Sequence, residues 1–116
     1  AVADRVWMLE NAYYSVISPE ACASILFKDP ARVSEAAENL HLFASDLEKL
    51  GIIEKIVAEP AEFTPESTEK MMASLGRDLY GELSALMKKK SAKLTDARYE
   101  KYRKIGRYEE ISPKNV

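Results

Sequence analysis

Three short motifs, each with a proline directly after a side chain that can cap a helix, constrain the fold of these 116 residues more than any other feature. They are Ser18-Pro19-Glu20, Asp29-Pro30 and Thr64-Pro65-Glu66. In each motif the side-chain oxygen can accept a backbone N–H at a helix start, and the fixed φ of proline suits the first helical position. The sequence therefore predicts a helix after each motif.

Apolar spacing supports two of these helices, and capping residues predict two further ones. The second motif is followed by Val33, Ala36, Ala37 and Leu40, which form one face of an amphipathic helix. The stripe of the longest helix, after Thr64, comprises Met72, Leu75, Leu79, Leu83 and Leu86. A short helix is predicted from a capping box of Ser45 and Glu48 to a stop at Gly51. A last helix is predicted from Thr95-Asp96 to Gly106.

Strand signals are confined to the first 57 residues. Residues 5–9 are apolar on both alternating faces, residues 13–17 are β-prone, and residues 52–57 are rich in β-branched side chains. Helix therefore dominates, with three short strands near the beginning of the chain.

Charge is unevenly distributed, although the net charge is only −2. Residues 1–60 carry five Lys/Arg and ten Asp/Glu, whereas residues 88–116 carry ten Lys/Arg and four Asp/Glu. Such a basic tail is typical of a solvated surface, and it can also meet an acidic partner, a nucleic acid or a phosphate-bearing ligand. Composition alone does not show which of these roles the basic tail has.

Few side chains point to chemistry on their own. Cys22 is the only cysteine and His41 the only histidine, which excludes an intramolecular disulfide and any multi-cysteine metal site and favours a reducing compartment. We interpret Cys22 as a core thiol and His41 as structural. No run of about 20 apolar residues, the length needed to span a bilayer, is present. The helix start at Ser18 is the best candidate site, because backbone N–H groups at a helix N-terminus bind anions.

Two motifs and their separation resemble one family closely. Tyr-Ser-Val-Ile-Ser-Pro-Glu at residues 14–20 and Leu-Gly-Ile-Ile-Glu-Lys-Ile-Val-Ala-Glu-Pro at residues 50–60 resemble the α subunit of bacterial acetyl-CoA carboxylase carboxyltransferase. The runs at residues 3–10 and 22–28 are similar too, as are Arg98-Tyr99 and Gly106 in the tail. The resemblance is weakest over residues 61–95.

The resemblance implies the fold. It predicts a helix-rich α/β chain, the C-terminal portion of a ClpP/crotonase-type fold, with a few short strands and about five helices. Residues 1–60 would belong to the crotonase-like core, and residues 61–116 would form a C-terminal helical extension. Because the first residue is Ala1 rather than Met and the family's chain is roughly three times longer, we expect a piece of a longer polypeptide.

The resemblance also implies a reaction: carboxyl transfer from carboxybiotin, held on a carrier protein, to acetyl-CoA, giving malonyl-CoA for fatty acid synthesis in the cytoplasm. No covalently bound cofactor and no metal is expected in this chain. The expected partners are a zinc-ribbon-bearing β subunit, in an α₂β₂ assembly, and the biotin carboxyl carrier protein. We expect the basic tail, with Tyr99 and Tyr102, to contact the β subunit rather than the phosphates of CoA.

The resemblance implies site residues as well. The family's oxyanion-hole glycines precede the first strand and would lie upstream of Ala1, so no catalytic residue is assigned and the chain alone should be inactive. Ser18, Pro19, Glu20 and Ala21 should line the substrate cleft, with Glu20 as a wall or capping residue; Ala21 replaces the family's usual glycine. Two alternatives stay open: a carboxyltransferase for another acyl-CoA such as propionyl-CoA, and a noncatalytic helical interaction module.

Overall fold

The computed structural model describes residues 2–106, which form two strands and five helices. In chain order the elements are β1 (Trp7–Leu9), α1 (Pro19–Leu26), α2 (Val33–Leu40), α3 (Ala44–Lys49), β2 (Lys55–Val57), α4 (Pro65–Met87) and α5 (Ser91–Arg103). The predicted helix-rich α/β class with about five helices is confirmed. None of the described helices is both long and apolar enough to cross a membrane.

The two strands pair in parallel and are joined by the three short helices. Trp7 aligns with Lys55, and Leu9 with Val57. Two of the predicted strands are thereby confirmed in shorter form. Met8 packs on this sheet against Ala44, Leu47 and Ile53, the buried residues of one small core.

Helices α1 and α2 form a second core built from small side chains. Cys22, Ala23 and Ala36 are buried there, with Ile17 and Leu40 among the apolar residues packed around them. Small residues allow the two helix backbones to approach closely, and the predicted apolar face of α2 is confirmed at Ala36 and Leu40. Cys22 is a core thiol, as predicted.

Two of the three proline motifs cap helices as predicted. Ser18 Oγ accepts the Ala21 N–H at 3.2 Å, and Thr64 and Ser67 form a reciprocal capping box. Asp29-Pro30 does not begin α2 directly. Its carboxylate accepts the Ala31 N–H at 2.9 Å and makes a turn, and the helix starts at Val33.

The predicted strand at residues 13–17 is wrong. Only an isolated antiparallel bridge, between Tyr13 and Phe43, forms there. Ser15 Oγ donates to the Ile17 carbonyl at 2.7 Å and accepts the Ile17 N–H at 3.3 Å. This local side-chain turn bends the backbone before Ser18, and it competes successfully with the β propensity of the run.

Two predicted helix starts are also wrong. The helix assigned to a box of Ser45 and Glu48 begins earlier, at Ala44, with Phe43 at the N-cap and no side-chain cap. The last helix begins at Ser91 rather than at Thr95-Asp96, and Thr95 lies inside it, donating its hydroxyl to the Ser91 carbonyl. Gly51 adopts φ +72° after α3, as a C-terminal stop requires.

Helices α4 and α5 contain no buried residue, and ion pairs link them to the rest of the chain, with Leu79 and Leu86 of α4 in a groove beside Trp7. The ion pairs that link them to the sheet region, with their N···O distances, are Arg5–Glu82 (2.7 Å), Lys55–Asp78 (2.5 Å), Arg98–Asp4 (3.2 Å) and Lys101–Glu54 (2.5 Å). The radius of gyration is 18.8 Å, against about 13 Å for a compact domain near this size. Much of the surface of α4 and α5 is therefore open.

Glu54 contacts both Val6, at the start of β1, and Lys101, on α5. Its backbone N–H donates to the Val6 carbonyl at 2.9 Å, and its carboxylate accepts the Val6 N–H at 2.7 Å while pairing with Lys101. The Lys101 side chain is only 15% exposed. Glu54 thus holds the start of β1, the approach to β2 and helix α5 together.

Replacing Glu54 by Gln tests this junction. The variant loses the ionic partner of Lys101 and should lower the free energy of unfolding by about 1–2 kcal/mol, measured by urea denaturation. Glu48→Gln, at an exposed carboxylate on α3, is the matched control and should stay within about 0.5 kcal/mol. If both variants lost the same free energy of unfolding, Glu54 would contribute no more to stability than an exposed carboxylate.

Candidate active-site cleft

A cleft of about 600 Å³ opens at the N-terminus of α1. Its lining residues come from the bend before α1 and from the turn before α3; they are Tyr13, Ser15, Val16, Ile17, Ser18, Pro19, Glu20, Leu42 and Phe43. The Tyr13–Phe43 bridge and the Tyr14 N–H, which donates to the Leu42 carbonyl at 3.0 Å, hold the two segments side by side. The fold thus brings a helix start and an apolar wall into one concave site.

Three of the four predicted site residues lie on the wall of this cleft. Ser18, Pro19 and Glu20 line it, whereas Ala21 does not. Ala21 lies within the first turn of α1, with its N–H directed to Ser18 Oγ.

The hydrogen bonds of the α1 start limit how many donors it can offer. Pro19 has no N–H, the Ala21 N–H donates to Ser18 Oγ, and the Cys22 N–H donates to the Ser18 carbonyl at 2.9 Å. Within the part of the chain that is described, Glu20 carries the one N–H of this turn without an acceptor. A developing oxyanion usually needs two preset donors, so this helix start supplies half of such a site at most.

The Glu20 carboxylate belongs to the first turn of α1, where it is exposed and interacts favourably with the positive end of the helix dipole. Among the ion pairs of residues 2–106, none involves Glu20. Glu20 therefore has neither the charged neighbour nor the burial that is typical of a catalytic acid or base.

Sequence reasoning missed the apolar half of the cleft. Val16 is 97% exposed, and Tyr13 and Phe43 also present large side chains to solvent. Tyr13 and Val16 were assigned to a strand, and no sequence pattern links Phe43 to Tyr13, thirty residues earlier. The available signal was a cluster of large apolar residues beside a Ser-Pro helix start.

Three polar side chains of helix α5 contact the rest of the described chain. Lys101 and Arg98 pair with Glu54 and Asp4, and the Tyr102 hydroxyl donates to the Ala3 carbonyl at 3.0 Å. Tyr99 and Arg103 remain on the exposed side, with the Arg103 guanidinium 5.9 Å from the Tyr99 ring centroid. Tyr102 is thus a structural contact, and only the outer residues of this helix are available to another molecule.

His41 and Cys22 contribute nothing to the cleft. His41 caps α2 in the left-handed conformation (φ 48°), and its Nδ1 lies 3.9 Å from an Asp46 carboxylate oxygen. Cys22 is buried between α1 and α2. Over residues 2–106, no three His, Cys, Asp or Glu side chains are grouped so that they could hold a metal ion.

Comparison with known proteins identifies the family. The family model described as acetyl co-enzyme A carboxylase carboxyltransferase-like matches residues 1–106. The carboxyl transferase subunit alpha of Ruminiclostridium cellulolyticum is 47% identical over 110 residues, which cover 91% of this chain and 39% of that protein. The corresponding subunit of Rhodospirillum centenum is 46% identical over 106 residues, covering 91% of this chain and 33% of that protein.

A longer relative combines two subunit names. The acetyl-coenzyme A carboxylase carboxyl transferase subunits beta/alpha of Natranaerobius thermophilus is 45% identical over 111 residues, covering 96% of this chain and 18% of that protein. The chain therefore spans between about a fifth and two fifths of the length of these relatives. The resemblance drawn from residues 14–20 and 50–60 is confirmed, and the chain belongs to the acetyl co-enzyme A carboxylase carboxyltransferase-like family.

Proposed function

We propose that this chain acts as part of the α chain of an acetyl-CoA carboxylase carboxyltransferase, which moves a carboxyl group from carboxybiotin on a carrier protein to acetyl-CoA. The match of residues 1–106 to the family model carries this proposal. The cleft supports it, because the Ser-Pro-Glu helix start that defines the resemblance lies on its wall. The product would be malonyl-CoA.

In this reaction carboxybiotin supplies the carboxyl group, and negative charge develops on the ureido oxygen and on the enolate of the acetyl group. Both oxyanions need donors that are fixed in advance in a water-poor site. The contribution of this chain is the apolar wall formed by Tyr13, Val16 and Phe43, whose side chains are open to an incoming molecule, and the Glu20 N–H. The remaining donors belong to another part of the α chain, where the family has its Gly-Gly pair.

We also propose a division of labour within the chain. Residues 1–60 would contribute the cleft and the small sheet of the crotonase-like core, and residues 61–116 would act as a helical extension, of which residues 107–116 lie outside the described part of the chain. The ion pairs Lys55–Asp78 and Lys101–Glu54 support this division, because they fasten the extension to the sheet at its surface and leave the cleft untouched.

The partners of the enzyme would be a β subunit, in an α₂β₂ assembly, and the biotin carrier protein. The outer side of α5 is the part of the basic tail that fits the β subunit. Tyr99 and Arg103 are exposed there, and an aromatic ring next to a guanidinium is a common combination at protein interfaces. Lys101 is excluded from this role because Glu54 engages it.

Phe43→Ala in the complete α chain, assembled with the β subunit, tests the cleft. Loss of this side chain should lower kcat/KM for malonyl-CoA formation about tenfold, a loss of roughly 1.4 kcal/mol, because the carboxybiotin ring loses an apolar contact. Phe63→Ala is a matched control, since Phe63 and Phe43 are 57% and 58% exposed and Phe63 lies outside the cleft. If the two variants kept equal rates, the cleft would not be the reaction site.

Glu20→Gln in the same assembly tests whether Glu20 is only a wall residue of the cleft or acts as an acid or base. The amide keeps the shape of the side chain and leaves the α1 backbone as it is, so the rate should stay within about threefold and the pH profile of kcat should keep its form. Glu48→Gln controls for the loss of one negative charge. A fall of a hundredfold or more in the Glu20 variant alone would assign proton transfer to Glu20.

Comparing acetyl-CoA with propionyl-CoA in the wild-type assembly distinguishes the two acyl substrates. We expect a higher kcat/KM for acetyl-CoA, and a preference for propionyl-CoA would select the alternative carboxyltransferase.

A further inference from the structure

Two carboxylates lie at the exits of the two strands, and each binds the backbone of the other segment. Glu10 directly follows β1, and Glu59 lies two residues after β2. Glu59 Oε2 accepts the Asn11 N–H at 2.6 Å, and Glu10 Oε2 accepts the Glu59 N–H at 3.3 Å. Because β1 and β2 are parallel, their exits lie at the same end of the sheet, and this crossed pair of hydrogen bonds ties them together.

The Asn11 N–H belongs to the turn that leads from β1 towards the cleft. The Ala12 N–H donates to the Leu9 carbonyl at 3.1 Å and closes this turn. Among the hydrogen bonds of the described residues, the acceptor of the Asn11 N–H is the Glu59 carboxylate. A hydrogen bond from a backbone N–H to a carboxylate is charge-assisted, and it is shorter and stronger than one between neutral groups. Glu59 therefore holds the turn in place, two residues before Tyr13 of the cleft wall.

The turn sets the position of the cleft wall. Tyr13 follows it and bridges Phe43, and both side chains line the cleft. These side chains are 76% and 58% exposed, so their positions depend on the backbone that carries them more than on packing with the described residues. Glu59 does not line the cleft, and its influence on the wall passes through residues 11–13.

The backbone presents the Glu59 carboxylate in a restricted conformation. Pro60 follows Glu59, and a residue before proline is disfavoured in helical conformations and held extended. Glu59 is half-buried, and among the ion pairs of residues 2–106 none includes it. Its carboxylate therefore meets the Asn11 N–H without competition from a cation in this part of the chain.

We propose that Glu59 is a positioning residue of the carboxyltransferase site: its carboxylate holds the turn at Asn11 and thereby places the wall of Tyr13 and Phe43 against the carboxybiotin ring. This inference rests on the proposed function, in which that wall contacts carboxybiotin. The property required of Glu59 is a hydrogen-bond acceptor at this position. An amide oxygen supplies one as well, so glutamine should replace Glu59 and alanine should not.

Steady-state kinetics of the complete α chain, assembled with the β subunit, test this role. Glu59→Ala should raise the KM for carboxybiotin about fivefold and leave the KM for acetyl-CoA within about twofold, whereas Glu59→Gln should keep both within about twofold of the wild type. Glu62→Ala is the matched control, because it removes an exposed carboxylate outside the cleft, three residues later. Equal KM values in the two alanine variants, or a glutamine variant as impaired as Glu59→Ala, would overturn the proposal.

Combination with Phe43→Ala distinguishes this role from a general loss of stability. Adding Glu59→Ala to Phe43→Ala should raise the KM for carboxybiotin by less than about twofold, because the wall that Glu59 positions is already lost. Full additivity would show that Glu59 does not act through the wall. If Phe43→Ala alone left the rate unchanged, the proposed function would fail and this inference with it. A tenfold loss in Phe43→Ala with no change in Glu59→Ala would refute the positioning role alone.

Hydrogen exchange measures the contact itself, independently of catalysis. In the complete α chain, the amides of residues 10–14 should exchange faster in Glu59→Ala than in the wild type or in Glu62→Ala, as followed by mass spectrometry. Residues 33–40 of α2 should keep their wild-type exchange, which shows that the variant is folded. Unchanged exchange of residues 10–14 would contradict the hydrogen bond on which the inference depends.

Discussion

The three-way contact at Glu54 is the interaction on which the rest of this structure depends. Its backbone N–H and its carboxylate both bind Val6, at 2.9 and 2.7 Å, which secures the entry to the parallel strand pair. The same carboxylate holds Lys101 of α5. A two-stranded sheet buries little apolar area and is marginal by itself, so the helices that flank it and the ion pairs that fasten α4 and α5 to it carry much of the organisation. One carboxylate therefore connects the sheet that positions the cleft with the helical extension.

The cleft depends on that scaffold indirectly. Strand β1 leads into the bend at Ser15, and the bridge between Tyr13 and Phe43 then aligns the start of α1 with the start of α3. The result is a concave surface with one open N–H and an apolar wall. Such a surface offers apolar contact to a reacting group, but it cannot by itself stabilise two developing oxyanions. This limit agrees with the share of the family's length that the chain represents, no more than about two fifths of the relatives described above.

Features determined by neighbouring residues could be predicted from the sequence. Ser18 and Thr64 cap their helices because the capping oxygen and its N–H partner are three residues apart. Three of the four proposed site residues line the cleft, and their role in substrate binding stays a prediction. Features that join distant segments could not be predicted: the contact of Glu54 with Lys101, and that of Tyr13 with Phe43, depend on the tertiary arrangement. Residues 13–17 were misassigned because the side-chain turn of Ser15 outweighs the β propensity of the run.

We propose that these residues form one wall of a carboxyltransferase site whose paired oxyanion donors lie elsewhere in the α chain. The most direct measurement mixes the 116-residue chain with the β subunit, carboxybiotin and acetyl-CoA, and follows malonyl-CoA. We expect no product above the rate obtained with the β subunit alone, and full turnover when the same residues are part of the complete α chain. Malonyl-CoA formation by the 116-residue chain with the β subunit, at a rate near that of the complete enzyme, would contradict it.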